Sequence, residues 1–321
     1  SRRPKRERMT IATITLNASV DTTWTLPRFA PGAINRVERK EAVAGGKGNN
    51  VARVLATLGQ PVLASGFVAG WAGRFIESEL AAAGIATAFQ AIPGESRTSL
   101  AIVETESGRV TEAREPGPTV AADDWRRFLA ELPVRLRGAT VVALCGSLPP
   151  GLPAAAYAEL IRVLREAGCR TALDTSGAAL REGLVAAPDL VKPNAAELAE
   201  LAGLAVAEFE TAALLEAARE IARPQSGPEG RVLLSLGARG AALIDREETL
   251  LATAPAVDVV SPVGCGDALL AGFLDAEARG EPPAAALRWA VAVGAAAAMQ
   301  SRPGVVDPAD VARLARREAA A

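Results

Sequence analysis

The chain contains no histidine. That excludes a Ser-His-Asp triad, a Cys-His pair and any His-ligated metal centre. A general base must then be a carboxylate, lysine, tyrosine or cysteine. Cysteine is scarce: Cys145, Cys169 and Cys265 are odd in number, widely spaced and free of any Cys-x-x-Cys pair. A disulfide framework or zinc site does not fit this pattern, and a reducing, cytoplasmic compartment is expected. Aromatic residues make up 4% of the chain, too few for a base-stacking surface. The net charge of −2 supplies no field for nucleic acid or an anionic membrane. No apolar run is long enough for a membrane span; the longest, Ala284 to Met299, carries Arg288 and reads as a buried helix. The basic run Ser1 to Arg8 is followed by no apolar h-region, so it reads as a disordered arm or a non-native remnant and not as a signal peptide. Lysine occurs only at Lys5, Lys40, Lys47 and Lys192, among 35 basic residues. With alanine abundant, this matches GC-rich codon usage, and Lys47 and Lys192 stand out because each lies in a glycine- or proline-marked turn; chance placement is the alternative.

What is present points to an α/β fold. A length of 321 residues with half of them hydrophobic allows one large domain, with or without a small addition. From about residue 120 onward, predicted helices and strands alternate: helix 121–132, strand 140–144, helix 153–167, strand 171–174, strand 190–191, helix 194–201, helix 208–223 and strand 232–236. That rhythm predicts a mostly parallel sheet covered on both faces. Strands 239–244 and 248–252 follow as a meander, and 224–230 reads as a linker. Nearer the N-terminus, strand 9–16, helix 49–58, strand 62–67 and helix 73–83 fit the same layering. Two polar pieces, about 22–44 and 98–117, do not; they predict a small separate sheet, either a lid or an edge extension. The large α/β part then comprises 10–21, 45–97 and 118–318, with residues 1–9 as the arm.

The segment Val259 to Phe273 carries the strongest chemical signal. An apolar extended run breaks at Pro262, Gly264 and Gly266 follow with Cys265 between them, and Asp267 then opens a helical pattern. A helix start offers unpaired N–H groups and partial positive charge to an anion. An aspartate there can take a proton from an alcohol while the amides hold the transferred group, as phosphoryl transfer to a hydroxyl requires. An ordinary turn is the alternative. The loop is not a Walker A motif: the only Gly-Lys is Gly46-Lys47, with Glu41 where the first glycine should be and Gly48 after it. Nor is it a dinucleotide fingerprint, because Leu269 stands where a third small residue is needed.

Other polar clusters fall at predicted strand ends, where open α/β sheets bind ligands. These are Asn17 and Asp21, Gly146-Ser147, Asp174, Lys192-Pro193-Asn194, and Ser235 to Gly240. Asn194 and Glu197 lie three apart at a helix start, where the carboxylate could hold the water shell of Mg²⁺ or could simply complete a helix cap. Ala44 to Asn50 opens a helix with glycines, Lys47 and two amides, suited to sugar hydroxyls and a phosphate or to a flexible helix entry. Arg97 could clamp a substrate phosphate or be solvated; Ser147 could donate to that phosphate or be a turn serine.

Taken together and in order, these segments resemble the ribokinase-like (PfkB) carbohydrate kinases, most of all their hexose-phosphate branch. The matching pieces are Thr15 to Asp21, Gly45 to Arg53, Arg97-Thr98-Ser99, Glu115 to Pro118, Gly146 to Gly151, Lys192 to Asn194 with Glu197, Ser235 to Ala241 and Val263 to Asp267, spanning about Thr10 to Val306. The resemblance implies a three-layer α/β/α fold with a small β-sheet lid, often a dimer contact, and ATP with Mg²⁺. It implies that Asp267 is the base and that the Gly264, Cys265 and Gly266 amides hold the γ-phosphate. Asp21, Gly45, Gly46 and Asn50 would hold the sugar, with Lys47, Arg97 and Ser147 near its existing phosphate. Lys192, Asn194, Ser235, Gly237 and Gly240 would serve the nucleotide, and Glu197 the Mg²⁺, through water. The implied acceptor is a ketohexose phosphate: fructose 1-phosphate, tagatose 6-phosphate or fructose 6-phosphate. A kinase of a free sugar or nucleoside, and a regulator that binds sugar phosphate without catalysis, are the alternatives.

The chain departs from the family's pattern at Ala18, Asn49, Pro262 and Cys265, where proline, an aliphatic residue, threonine, and alanine or serine are usual. At a helix N-terminus the Cys265 thiol is expected to have a lowered pKa and to be the most reactive of the three; burial against the following helix, which would raise the pKa and close access, is the alternative.

Overall fold

The computed structural model describes residues 10–204, 211–222 and 230–318. The arm at 1–9, most of the linker at 224–230 and the ends of the helix at 208–223 lie outside the described residues.

The large sheet is built on buried apolar strands. β1 (Ile11–Thr15), β4 (Val62–Val68), β5 (Ala86–Ala91), β8 (Val141–Cys145), β9 (Arg170–Asp174), β10 (Leu190–Val191), β11 (Arg231–Ser235), β12 (Ala241–Ile244) and β13 (Thr249–Ala252) run in the order β13-β12-β11-β10-β9-β8-β1-β4-β5. From β5 to β11 every pairing is parallel; β12 and β13 close the edge antiparallel. Along β8 the side chains alternate between two cores, Val141, Ala143 and Cys145 on one face and Val142 and Leu144 on the other. Burial on both faces is what makes such strands continuously hydrophobic.

One face is covered by α1 (Lys47–Thr57), α2 (Gly70–Ala82), α8 (Cys265–Ala278), α9 (Pro283–Ala298) and α10 (Pro308–Glu318). The other carries α3 (Ala122–Arg135), α4 (Ala156–Glu166), α5 (Gly177–Leu184), α6 (Ala195–Ala202) and α7 (Thr211–Ala222). The chain leaves β1 toward β4 on one side and returns at β8 on the other, so a topological switch point lies between β1 and β8. Crevices at such points, beyond the carboxyl ends of the strands, are where ligands bind.

The second sheet has four strands: β2 (Ser19–Leu26), β3 (Arg39–Gly45), β6 (Arg97–Glu104) and β7 (Val110–Arg114), in the order β3-β2-β6-β7. It springs from the site itself, since β2 begins just after β1 and β3 runs through Gly45-Gly46 directly into α1. Asp21, Ser99 and Arg114 sit opposite one another in register, on one face.

Three elements escape the sequence pattern. β2 is half-polar because one face lines a cavity, β5 is an alanine-rich edge strand, and α5 is a short helix after a strand end. The apolar run before Pro262 is extended but pairs with no strand. None of the described helices is long and apolar enough to cross a membrane.

Candidate active site

A cavity of about 1370 Å³ opens between the carboxyl ends of the large sheet and the inner face of the small one. Asp21, Gly46, Lys47, Asn50, Arg97, Lys192, Asn194, Ser235, Gly237, Gly240, Gly264, Cys265, Gly266 and Asp267 all line it. Gly45, Ser147 and Glu197 are not among the lining residues.

The entrance to α8 is shaped by Gly264, at φ 85°, where a Cβ would lie 2.7 Å from the Pro303 ring. The first intrahelical bond is donated by the Ala268 N–H to the Gly264 carbonyl, so the amides of 265–267 precede the helical ladder. The Cys265 N–H makes only a long contact, 3.4 Å, to the Pro262 carbonyl. Asp267 sits in this first turn, 5% exposed, and accepts a 2.7 Å hydrogen bond from Asn50 Nδ2. Burial, and next the charge of Asp174, push its pKa up to about 6; Lys47, Asn50 and Lys192 oppose the rise. A carboxylate so placed can gain and lose a proton near neutral pH.

Below Asp267 lies a cluster that sequence reading did not assemble. Asp174, at the end of β9, is fully buried; Lys47 Nζ is 2.9 Å from its Oδ1 and Lys192 Nζ 3.2 Å from its Oδ2. Asp174 thus holds two lysines from loops 145 residues apart. Burial disfavours the charge on Lys47, but Asp174 in contact and Asp267 farther off outweigh it, and its pKa rises.

The side of the cavity beside the small sheet is braced by small residues and amides. A Cβ on Gly45 would fall 2.1 Å from the Asp21 carboxyl carbon, so only glycine leaves room for that side chain. Asp21 Oδ1 accepts from Ser19 Oγ at 2.7 Å. Asn49 is fully buried and donates from Nδ2 to the Gly45 carbonyl at 2.8 Å, which explains an amide at a usually aliphatic position. Arg97 donates from Nε to the Asn17 carbonyl at 3.1 Å and from Nη1 to Ser99 Oγ at 3.3 Å. Asn17 Nδ2 in turn donates to the Pro116 carbonyl at 3.1 Å and to Ser147 Oγ at 3.3 Å. Ser147 is therefore exposed beside Asn17, with Asn17 between it and Arg97. Nothing in the sequence marked Asn17 as the brace; its strand-end position was the only signal.

On the opposite side, Ser235 donates from its backbone N–H to the Pro193 carbonyl at 3.1 Å, joining β11 to the Lys192-Pro193-Asn194 turn. Gly237 to Arg239 form a 3₁₀ turn closed by Gly240. Val259, Val260 and Val263 line the cavity while largely exposed, an apolar open surface. Asn194 and Glu197 form a reciprocal capping box: Asn194 Oδ1 accepts from the Glu197 N–H at 2.8 Å and Glu197 Oε2 from the Asn194 N–H at 2.9 Å. The cap is thus real. Among the described residues no group of three His, Cys, Asp or Glu could hold a metal ion by itself.

Cys265 differs from expectation. Its thiol is half-buried with Sγ 3.7 Å from the Ser261 carbonyl, and burial followed by the nearby Asp267 charge pushes its pKa up to about 11. Loss of water around the sulfur outweighs the helix N-terminus.

Comparison with known proteins identifies the family. The sequence profile described as pfkB family carbohydrate kinase matches residues 12–309. The chain is 41% identical to the 1-phosphofructokinase of Rhodobacter capsulatus, over 95% of this chain and 96% of that protein. It is 35% identical to a tagatose-6-phosphate kinase of Staphylococcus epidermidis, over 92% and 94%. The crystal structure of phosphofructokinase-2 from Escherichia coli in complex with potassium superposes with a TM-score of 0.90 at 28% identity, covering 97% of this chain and 99% of that one. Arabidopsis thaliana ribokinase shares the fold, with a TM-score of 0.76 at 22% identity over 96% and 99%. The chain belongs to the pfkB family of carbohydrate kinases, ATP-dependent phosphotransferases with a ribokinase-like α/β fold.

Proposed function

We propose that this kinase transfers the γ-phosphoryl group of ATP to a hydroxyl of a ketohexose phosphate, fructose 1-phosphate or tagatose 6-phosphate. The observation that carries this reading is the single cavity in which Asp267, at the start of α8, faces Asp21, Asn50, Lys47 and Arg97. Two cations near a sugar-sized space suit an acceptor that already bears a phosphate. The names of the two curated relatives support the same substrate class.

Asp267 takes the proton of the acceptor hydroxyl as its oxygen bonds to the γ-phosphorus. The bond from that phosphorus to the bridging oxygen breaks and ADP leaves. The Gly264, Cys265 and Gly266 amides receive the γ-phosphate oxygens through backbone N–H groups, so side-chain identity at 265 matters little. Asp21, Gly45, Gly46 and Asn50 orient the sugar; Lys47 and Arg97, with Ser147 behind Asn17, serve its phosphate. Lys192, Asn194, Ser235, Gly237 and Gly240 serve the nucleotide.

Mg²⁺ takes few direct protein ligands, so one carboxylate at the cavity edge would suffice from the protein. Glu197, with Oε2 on the helix cap, would order the metal's water; Mg²⁺ supplies charge neutralisation at the phosphates. The small sheet acts as a lid, and its exposed outer strand β7 is the surface for a homodimer. Three free cysteines suit the cytoplasm.

The test is ADP release with fructose 1-phosphate, tagatose 6-phosphate, fructose 6-phosphate and free fructose side by side. Turnover with one of the first two ahead of the others is expected. Preference for the free sugar would overturn the assignment.

A further inference from the structure

Arg53, on the third position after Asn50 in α1, is a half-buried cation with no obvious reason to be there. Its Nη2 donates to Asn50 Oδ1 at 2.7 Å and to the Pro303 carbonyl at 3.0 Å, while its buried Nε meets no partner. Among the described residues no carboxylate forms an ion pair with it; Asp21 from β2, Glu79 from α2, Asp267 from α8 and the like charge of Arg302 act on it from farther off. Arginines taken from water are ordinarily paired with an acid. This one instead spends its donors on an amide and a carbonyl.

The consequence follows from donor chemistry. A guanidinium can only donate, so the Asn50 group facing Arg53 must be the oxygen. The amide nitrogen is thereby turned the other way, where it donates to Asp267 Oδ2 at 2.7 Å. Without Arg53 the amide is free to rotate, and whenever Asp267 is protonated the Asn50 oxygen can accept its O–H, which favours the protonated form. The same guanidinium nitrogen also fixes the 303–304 turn. A Cβ on Gly304 would lie 2.8 Å from Arg53 Nη2, and the Pro303 ring packs against Gly264 at the entrance to α8. One side chain therefore ties the partner of Asp267 to the turn that backs the anion loop.

We propose that Arg53 is a positioning residue for phosphoryl transfer, locking the Asn50 amide so that its nitrogen, and never its oxygen, faces Asp267. This deepens the proposed function and rests on Asp267 being the base. The other groups facing Asp267 are Lys47, Lys192 and Asp174, and none of them touches the Asn50 oxygen.

The test uses the full-length kinase with saturating ATP and sugar phosphate. Arg53→Met keeps an apolar stem of similar length and removes the donors. It should lower kcat on the order of 10- to 100-fold, as a misplaced catalytic contact does. The acid limb of the kcat profile should move up by about one pH unit, because the carboxylate loses a donor and a nearby positive charge. The substrates' own phosphates titrate alike in every variant, so the difference belongs to the protein. In an Asn50→Leu background, Arg53→Met should cost almost nothing further in kcat, since the effect passes through Asn50. Arg53→Lys, which retains a donor and the charge, should keep the wild-type acid limb.

A wild-type kcat and acid limb in folded Arg53→Met, or factors that simply multiply in the double variant, would overturn the proposal. If Arg53→Met does not fold, Arg53→Gln decides: a lowered kcat with the acid limb moved up supports the proposal, and a wild-type kcat and acid limb overturn it. Asp267→Asn run in parallel separates two failures. Near wild-type turnover there removes the base and the role of Arg53 together. An inactive Asp267→Asn beside an unshifted Arg53→Met removes only the role of Arg53.

Discussion

On the proposed acceptor side of the cavity, side chains from distant parts of the chain hold one another: Asn50 with Asp267, Lys47 with Asp174 and Arg97 with Asn17, while Lys192 reaches Asp174 from the proposed nucleotide side. On the nucleotide side the same cavity is formed by backbone turns at 235–240, by small residues and by exposed valines, with the capping box of α6 at its edge. The acceptor side is buried and polar, so each group there depends on its partner. The nucleotide side is open and depends mostly on backbone shape. Changes in the first region should therefore alter catalysis and stability sharply, whereas side-chain changes in the second should be absorbed.

The largest effect should come from Asp267→Asn, which should lower kcat by at least about a hundredfold, the low end for general base catalysis. KM should change far less. The same variant should be no less stable than wild type above pH 6. The folded pKa of Asp267, about 6, lies above its unfolded value, so the folded state binds the extra proton and stability falls as pH rises through that window. Asparagine removes that loss. Kinetics and denaturant midpoints between pH 4 and 7 check both parts; a large fall in stability at neutral pH would show that Asp267 is structural.

Next comes Asp174→Ala. It leaves the buried Lys192 and its neighbour Lys47 without their counter-charge, and breaking a buried pair in this way costs about 3–5 kcal/mol. Urea unfolding measures it; a shift no larger than that of a surface substitution would mean the lysines find water instead. Glu197→Gln sharpens the contrast from the nucleotide side. Glutamine can still accept the Asn194 N–H, so the cap persists while the charge goes. The Mg²⁺ concentration for half-activity should rise with little change in melting temperature; an unchanged metal titration would leave Glu197 as a cap alone.

The smallest effect should be at Cys265. In the proposed mechanism its amide, not its side chain, serves the phosphate, so Cys265→Ala should retain activity within about threefold. With its thiol pKa pushed up to about 11, alkylation at pH 7 should be slow. Rapid inactivation that the alanine variant escapes would contradict the burial seen here.

These contrasts also explain what could be read from the chain alone. The buried strands and their mostly parallel layering were legible because apolar runs alternate with helical patterns. The strand-end motifs were legible because glycines and prolines mark them. β2 and β5 were not: the inner face of β2 is polar where it meets the cavity, and β5 is alanine-rich at an edge. Asp174 was visible as a strand-end carboxylate, but its two lysines come together only in three dimensions. Arg53 closed a matching segment, but its role was unread, since one arginine among many on an amphipathic helix looks solvated. At Cys265 the sequence left the helix terminus and burial in competition, and only the fold decides for burial.

The central claim, that the acceptor side is built for a sugar already carrying phosphate, is tested most directly by one ratio. It is kcat/KM for fructose 1-phosphate divided by kcat/KM for fructose, measured in wild type and in Arg97→Ala. A charge-assisted contact of about 1.5–3 kcal/mol predicts that the ratio falls roughly 10- to 100-fold in the variant, with KM for ATP unchanged. An unchanged ratio, or a rise in KM for ATP instead, would contradict it.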